Sequence, residues 1–500
     1  MVKTDILVIG TGIAGLSFAI KTAMKRADLH ITIMTKDTAE VTNTRYAQGG
    51  IAAVMDRLND SFNRHVQDTL QAGGGFCDQE VVRMVVHQAP DRLQELVELG
   101  VKFDMNNNQW DLALEGGHTA HRILHHGDIT GLEIESALLN AVHKLSNITL
   151  LEKHFVIDLV VEKDNSDKKC IGAFYFDDTN IIRYIRAKET VLSTGGCGQV
   201  FRNTTNSHIA TGDGVAIAYR ANALVEDMQY IQFHPTALYE PGKNPYFLLT
   251  EALRGSGAHV VNDEGKRFLF QYDVRGELAT RDIVSKAIGT ELQKSCRQHV
   301  YLDCRHIDRH AFKTHFPAIL SYCTGKGMDP FTSLLPIVPV AHYQCGGVTV
   351  NKHGQTRVTG LYAIGECAKT GLHGSNRLAS NSLLEAVVYA HQAAEKICST
   401  IDDMSFSAKV YIRKYHNGLL KADNRKINAI KKELQEIMAS YNADNDSSNT
   451  ALARLKDLKY TTSSLYNNDD LTVPIIELIN MLTVATLIIE HSKKNNLITF

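Results

Sequence analysis

The apolar run Asp5-Ile6-Leu7-Val8-Ile9 leads directly into Gly10-Thr11-Gly12-Ile13-Ala14-Gly15, and a helical pattern continues through Ala23. A strand, a Gly-x-Gly-x-x-Gly turn and a helix in that order predict a βα unit that holds a dinucleotide. Gly10 suits the tight turn, Gly12 lets the backbone approach a pyrophosphate, and Gly15 lets the helix pack closely on the strand. The motif alone is weak evidence; with both flanks in place it predicts an α/β, Rossmann-like fold.

The second strand reads as Ile31-Thr32-Ile33-Met34 and ends in Thr35-Lys36. An acidic residue that binds ribose is expected about 20 residues beyond the glycines of an NAD site. Lys36 stands there instead, which disfavours NAD and suits a phosphate or a rearranged adenosine pocket, although Asp37 and Glu40 stand close by as acidic alternatives. A further short strand, Gly360-Leu361-Tyr362-Ala363-Ile364-Gly365-Glu366, ends in a carboxylate placed to accept hydrogen bonds from a ribityl chain. FAD fits these features better. Near the far end of the chain, Gly371 to Glu385 joins Arg377 to Ser380-Asn381-Ser382 and an apolar-periodic helix. Cap-type residues before a helix leave free N–H groups for an anion or a flavin edge, and Arg377 is a bidentate carboxylate clamp.

The chain has 500 residues, 44% of them hydrophobic, enough for two or three domains. A net charge of −2 gives no electrostatic footprint for nucleic acid or an anionic membrane. The nine cysteines contain no Cys-x-x-Cys, which predicts neither a disulfide framework nor a zinc or iron–sulfur site and makes a reducing cytoplasm the simplest location. The N-terminus is a poor signal peptide. The apolar stretch from Leu471 to Ile489 carries Pro474, Glu477 and Asn480 and ends in Lys493-Lys494, as a buried helix does more often than a membrane span.

Strand, glycine turn and helix recur at 5–24, 190–223 and 361–400, so the cofactor-binding sheet is expected to be assembled from distant segments. The resulting division is a discontinuous FAD-binding domain over 1–228 and 344–405, an inserted α+β capping domain over 229–343, and a C-terminal helical domain over 406–500. In the last part, helical periodicity at 407–441 and 475–494 surrounds a polar loop at 441–449, and the whole reads as an appendage.

Several polar motifs lie between glycines and prolines: Glu115-Gly116-Gly117-His118, Gln232-Phe233-His234-Pro235-Thr236, Thr250-Glu251-Ala252-Leu253-Arg254-Gly255, Arg275 to Asp282, and His342-Tyr343-Gln344-Cys345-Gly346-Gly347. Each taken singly is more often structural. Jointly, two histidines and two arginines on such loops form a pocket for a small dianionic acid. His121 and His125 stand at i, i+4 near His118 and His126, but no carboxylate completes His-Glu-x-x-His, so metal ligation is not expected. A Gly-x-Ser-x-Gly nucleophile signature is absent from these motifs.

With these residues in view, positions 4 to 400 resemble the fumarate reductase and succinate dehydrogenase flavoproteins, and within them the L-aspartate oxidase family. The resemblance implies FAD bound by Gly10, Thr11, Gly12, Ile13, Ala14 and Gly15, by Lys36, by Asn43, Thr44, Tyr46, Gln48, Gly49 and Gly50, and by Asp213, Glu366, Ser382 and Leu383. It implies that His234, His342 and Arg377 take the substrate carboxylates, that Thr250 and Glu251 flank them, and that Glu115 lies at the substrate amine. Arg281 would transfer a proton. Arginine is an awkward base because a guanidinium stays protonated, so a relay through Glu251 and Arg254 is needed; their i, i+3 spacing shares one face if helical. Membrane succinate dehydrogenases tether FAD to a histidine five residues before the Gln of Ala-Gln-Gly-Gly. That position is Asn43 here, which implies non-covalent FAD. The sequence departs from the oxidase pattern at Thr119-Ala120-His121 and at Ser256. The implied reaction is oxidation of L-aspartate to iminoaspartate with oxygen or fumarate as acceptor, the product going to quinolinate synthase for NAD biosynthesis. A soluble fumarate reductase or succinate oxidase shares nearly all of these residues. An RNA-modifying flavoprotein should show a basic face, and a non-enzymatic FAD-binding protein has no need of the converging arginines and histidines.

Overall fold

The computed structural model describes residues 2–164, 167–407, 424–441, 445–465 and 471–495. Strand β1 (Val2–Ile9), helix α1 (Ile13–Lys25) and strand β2 (Ile31–Met34) form the first βαβ turn. Four strands follow in the same sheet: β3 (Ile148–Leu151), β4 (Phe155–Asp164), β5 (Asp167–Phe176) and β6 (Ile182–Leu192). The sheet runs β3-β2-β1-β6-β5-β4, and a late strand at Leu361–Ala363 pairs with the end of β6. Its β3-β2-β1-β6 part is parallel, whereas β6-β5-β4 is antiparallel.

A parallel sheet must be covered on both faces, and the two-residue alternation of β1 shows how. Ile6 and Val8 pack into a core shared with α1 and the helix Asn381–Thr400; Leu7 and Ile9 face the opposite core, with Asp213–Arg220 and the C-terminal helices. Each large aliphatic side chain fully buried this way stabilises the fold by roughly 1.5–3 kcal/mol.

The C-terminal segment is therefore no appendage: it closes one face of the cofactor sheet. Of the helix expected over 407–441, residues 408–423 lie outside the described residues, and Asn424–Ser440 is helical. The loop expected at 441–449 is shorter. A helix spans Asn445–Ser463, where Ala451, Leu455 and Leu458 turn inward from an otherwise polar sequence. The last helix, Val473–Asn495, is long and apolar enough to cross a membrane, yet Leu478, Met481, Leu482 and Val484 to Leu487 lie largely inside the protein's own core.

Between these parts, strand β7 (Ile231–Leu238), helix Glu251–Gly255, β8 (His259–Val261), helix Arg281–Ser295, β9 (Val300–Asp303) and β10 (Leu335–Gln344) build a separate antiparallel sheet ordered β7-β10-β9-β8. It has its own core around Leu253, Val284, Ile288 and Phe312. The β7–β10 ladder slips between Gln232 and Phe233 and again between His234 and Ala237. Such bulges re-aim side chains and accommodate Pro235 within a strand.

One buried group in the main sheet gives a stability prediction. Glu189 on β6 is buried, its Oε2 has no partner among the described residues, and burial pushes its carboxyl from 4.5 up to about 7 against the pull of Lys169. The folded state holds this proton more tightly than the unfolded chain. The contribution of Glu189 is therefore lost as pH rises from 4.5 to about 7 and stays lost above. Glu189→Gln should be relatively more stable by about 1–3 kcal/mol at pH 8 than at pH 4.5. Denaturant unfolding at both pH values checks this, and a pH-independent difference would contradict it.

Candidate active site

The β1–α1 turn needs its glycines for space. Gly10 has φ +114°, and a Cβ there would lie 2.3 Å from the carbonyl oxygen of Ser193; one at Gly15 would lie 2.3 Å from that of Gly10. The turn opens onto a cleft of about 360 Å³ whose walls include Gly10 to Ala14, Lys36, Asn43, Thr44, Tyr46, Gln48, Asp213, Glu366, Ser382 and Leu383. Thr44 Oγ1 accepts from the Ile13 N–H at 3.1 Å, so a neighbouring loop caps α1 in part. Among the described residues, Thr11 Oγ1 and Gln48 Oε1 are buried on these walls without a hydrogen-bond partner. Buried polar atoms are rarely left so, and orphans beside a dinucleotide turn fit the phosphates and hydroxyls of FAD. Gly15, Gly49 and Gly50 stand behind the wall: the Gly50 N–H donates to Ser380 Oγ at 3.3 Å.

Three of these residues are already engaged. Asn43 Oδ1 accepts the Ser207 N–H at 3.0 Å. Glu366 accepts from the Gln344 N–H at 3.1 Å, and burial raises its carboxyl to about 7. Lys36 differs from the sequence expectation. Its ammonium donates to Thr211 Oγ1 (2.7 Å), Asp213 Oδ2 (2.7 Å) and Glu477 Oε1 (2.5 Å), which uses all three of its hydrogens and leaves none for a phosphate.

Arg377 comes from the loop before the helix Asn381–Thr400 and also lines the cleft, as does His342 from β10. The N-cap of that helix is Ser380, with φ +59° and no side-chain cap, so its hydroxyl does not fill the capping role read from the sequence. That hydroxyl donates instead to Glu115 Oε2 at 2.5 Å. Burial and then the charge of Glu251 raise the Glu115 carboxyl above its ordinary value.

Gln232 joins the two arginines. Its Oε1 accepts from Arg281 Nη1 and from Arg377 Nη2, each at 3.0 Å, while its Nε2 donates to the Asn376 side chain and the Arg377 carbonyl at 2.7 Å. Gln232 carries neither charge nor imidazole and is not among the site residues expected from the sequence. Its signal was present, because Gln232 stands two residues before His234 in a strand pattern, the spacing of one face.

The other contacts of Arg377 are also neutral, the Ser382 hydroxyl at 3.2 Å and the face of the Tyr343 ring at 4.4 Å. Burial and then repulsion from Arg281 lower its pKa to about 10. Among the described residues, its Nε is a buried donor without a partner, and so is His234 Nε2. The His234 and His342 rings lie 5.0 Å apart. Burial, reinforced by Arg281, holds both well below the ordinary histidine value, so both are neutral. The Thr236 N–H donates to His234 Nδ1 at 3.3 Å, which puts the proton of that imidazole on Nε2, where it can be donated. A buried guanidinium without a carboxylate partner among the described residues, beside neutral imidazole donors, is built for a small anion.

Arg281 Nε pairs with Glu251 Oε2, and Arg254 Nη2 with Glu251 Oε1, both at 2.6 Å. Burial opposes ionisation of Glu251, but Arg254 and Arg281 outweigh it and hold the carboxylate below its ordinary value. Arg254 continues to the Glu277 carbonyl, giving an unbroken buried chain from Arg281 inward. Thr250 caps the helix Glu251–Gly255 through its hydroxyl.

The neighbouring histidines have separate partners. Arg122, paired with Asp60 and Asp68, donates to His118 Nδ1 at 3.1 Å, and His118 Nε2 reaches the Ala379 carbonyl. His121 is exposed, and His125 and His126 face Asp104. Of the departures, Thr119, His121 and Ser256 are exposed and Ala120 is buried.

Comparison with known proteins identifies the family. Residues 5–383 match the family model described as FAD binding domain. The chain is 42% identical to L-aspartate oxidase 2-b, chloroplastic, of Nicotiana tabacum over 479 residues, covering 91% of this chain and 73% of that protein. It is 40% identical to L-aspartate oxidase of Vibrio cholerae, covering 97% and 92%. A quinol fumarate reductase structure from E. coli superposes with a TM-score of 0.86 at 28% identity, covering 98% of this chain and 88% of that one. The chain belongs to the L-aspartate oxidase family, a branch of the FAD-binding fumarate reductase and succinate dehydrogenase flavoproteins.

Proposed function

We propose that this protein oxidises L-aspartate to iminoaspartate, with oxygen or fumarate as the final acceptor. The observation that carries the reading is the meeting of Arg281 and Arg377 on Gln232, beside two neutral histidines and the buried Glu115.

Arg377, His234 Nε2–H and His342 bind the two carboxylates and fix the substrate's orientation. Holding a reacting C–H in place contributes up to about 7–11 kcal/mol to lowering the barrier. Glu115, fixed by the Ser380 hydroxyl, faces the amine. The substrate gives up a hydride from Cα and a proton from nitrogen; FAD, when bound, supplies the two-electron acceptor. Arg281 carries a proton to or from the substrate, and Glu251 and Arg254 keep that guanidinium in place and exchange protons with it. Two further parts of the reading are proposals: delivery of iminoaspartate to quinolinate synthase for NAD biosynthesis, and work in a reducing compartment, for which the nine free cysteines are the support.

A second reading, a soluble fumarate reductase or succinate oxidase, is favoured by the likeness to quinol fumarate reductase. Steady-state assays in air decide between them: L-aspartate should yield ammonia, after hydrolysis of the imine, together with reduced oxygen, and succinate should not replace it. Equal or faster turnover of succinate would reverse the assignment. The flavin is expected to be non-covalent, because Asn43 offers no imidazole. Acid precipitation should leave the yellow colour in solution, and colour retained in the pellet would contradict this.

A further inference from the structure

The position after β2, where a βαβ unit meets the adenosine ribose, holds Lys36, and the carboxylate of the next residue, Asp37, is taken by His208 Nε2 and the Thr38 N–H. Asp213, at the start of the helix Asp213–Arg220, supplies a carboxylate across the cleft wall. Both oxygens of that carboxylate are fixed by other groups. Oδ2 accepts from Lys36 and from Thr211 at 2.7 and 3.0 Å, and Oδ1 accepts from Asn480 Nδ2 at 2.7 Å. Asn480 is fully buried on the last helix, and its own Oδ1 accepts from Arg220 at 2.8 Å. One turn earlier on that helix, Glu477 takes the remaining hydrogen of Lys36 at 2.5 Å, and Lys431 faces Glu477 from the helix Asn424–Ser440.

We infer that the last helix is part of the cofactor site: Glu477 and Asn480 are positioning residues that hold Lys36 and Asp213 in the geometry that receives the adenosine half of FAD. These residues lie beyond the 5–383 segment matched by the family model. A core helix needs only apolar contacts on its inner face. Here it sends a carboxylate and an amide to the two charged groups at one end of the cleft. Without Glu477, Lys36 keeps a single carboxylate and gains a free donor, so it can turn and draw Asp213 from its place.

The inference rests on FAD as cofactor and is independent of the substrate. Its test is titration of the full-length, flavin-stripped protein with FAD and with FMN, which lacks the adenosine. In Glu477→Gln, FAD affinity should fall about tenfold while FMN affinity changes less than twofold, and Glu477→Asp should recover part of the loss. Asn480→Leu should show the same selective loss and serves as the second variant if the first folds poorly. Unchanged FAD affinity, or parallel loss of FAD and FMN, would overturn the inference. Failure of the wild-type chain to prefer FAD over FMN would instead count against the cofactor assignment.

Discussion

Arg281→Lys should lower the limiting rate of anaerobic flavin reduction by L-aspartate by about 10²–10⁴-fold, the range a positioned proton-transfer group supplies. The dissociation constant of a non-reacting dicarboxylate should change little. The reason is geometric. Arg281 uses Nε for Glu251 and Nη1 for Gln232, two directions fixed by one planar group. A lysine keeps the charge but cannot reproduce the fork, so the Glu251–Arg254 pair loses its outlet while the cationic field persists. Loss of dicarboxylate binding with intact turnover at saturation would make Arg281 a carboxylate ligand and pass the proton role to Glu115 or Glu251.

Arg377→Leu should weaken substrate binding by about one to two decades, corresponding to a charge-assisted contact of roughly 1.5–3 kcal/mol, with FAD retained. The partners described for Arg377 are a hydroxyl, an amide oxygen and an aromatic face, and its Nε has none among the described residues. Such a cation awaits an anion and holds no ion pair whose loss would damage the fold. Equilibrium binding of a dicarboxylate and the KM for aspartate measure the effect; wild-type values for both would reduce Arg377 to a helix-start residue.

The first βαβ turn was legible because its signals are local. Gly10 and Gly15 each meet a specific steric demand, and β2 spans Ile31–Met34, the residues whose run predicted it. The helix Asn445–Ser463 was not legible. Its first turn is Asn445-Asp446-Ser447-Ser448, residues that favour turns and caps in isolation, and only packing against the last helix selects the helical state. At the site, side chains that carry charge or an imidazole could be named in advance, and the structure brings His234, His342, Arg281, Glu251 and Arg377 into one neighbourhood. What escaped was the neutral connector Gln232, whose importance lies in what it touches. The Lys36–Glu477 pair escaped for a different reason: its partners are 441 residues apart, and no periodicity links them. The same distance explains why the C-terminal helices read as an appendage, since neither their cover of the sheet nor their reach to the cleft is written in their own segment.

The most direct test of the central claim is a single anaerobic reduction. Purified yellow protein mixed with L-aspartate in the absence of oxygen should lose its flavin absorbance and regain it on admission of air or addition of fumarate, while succinate at the same concentration should bleach it slowly or not at all. Persistent yellow colour with L-aspartate, or faster bleaching by succinate, would contradict the account.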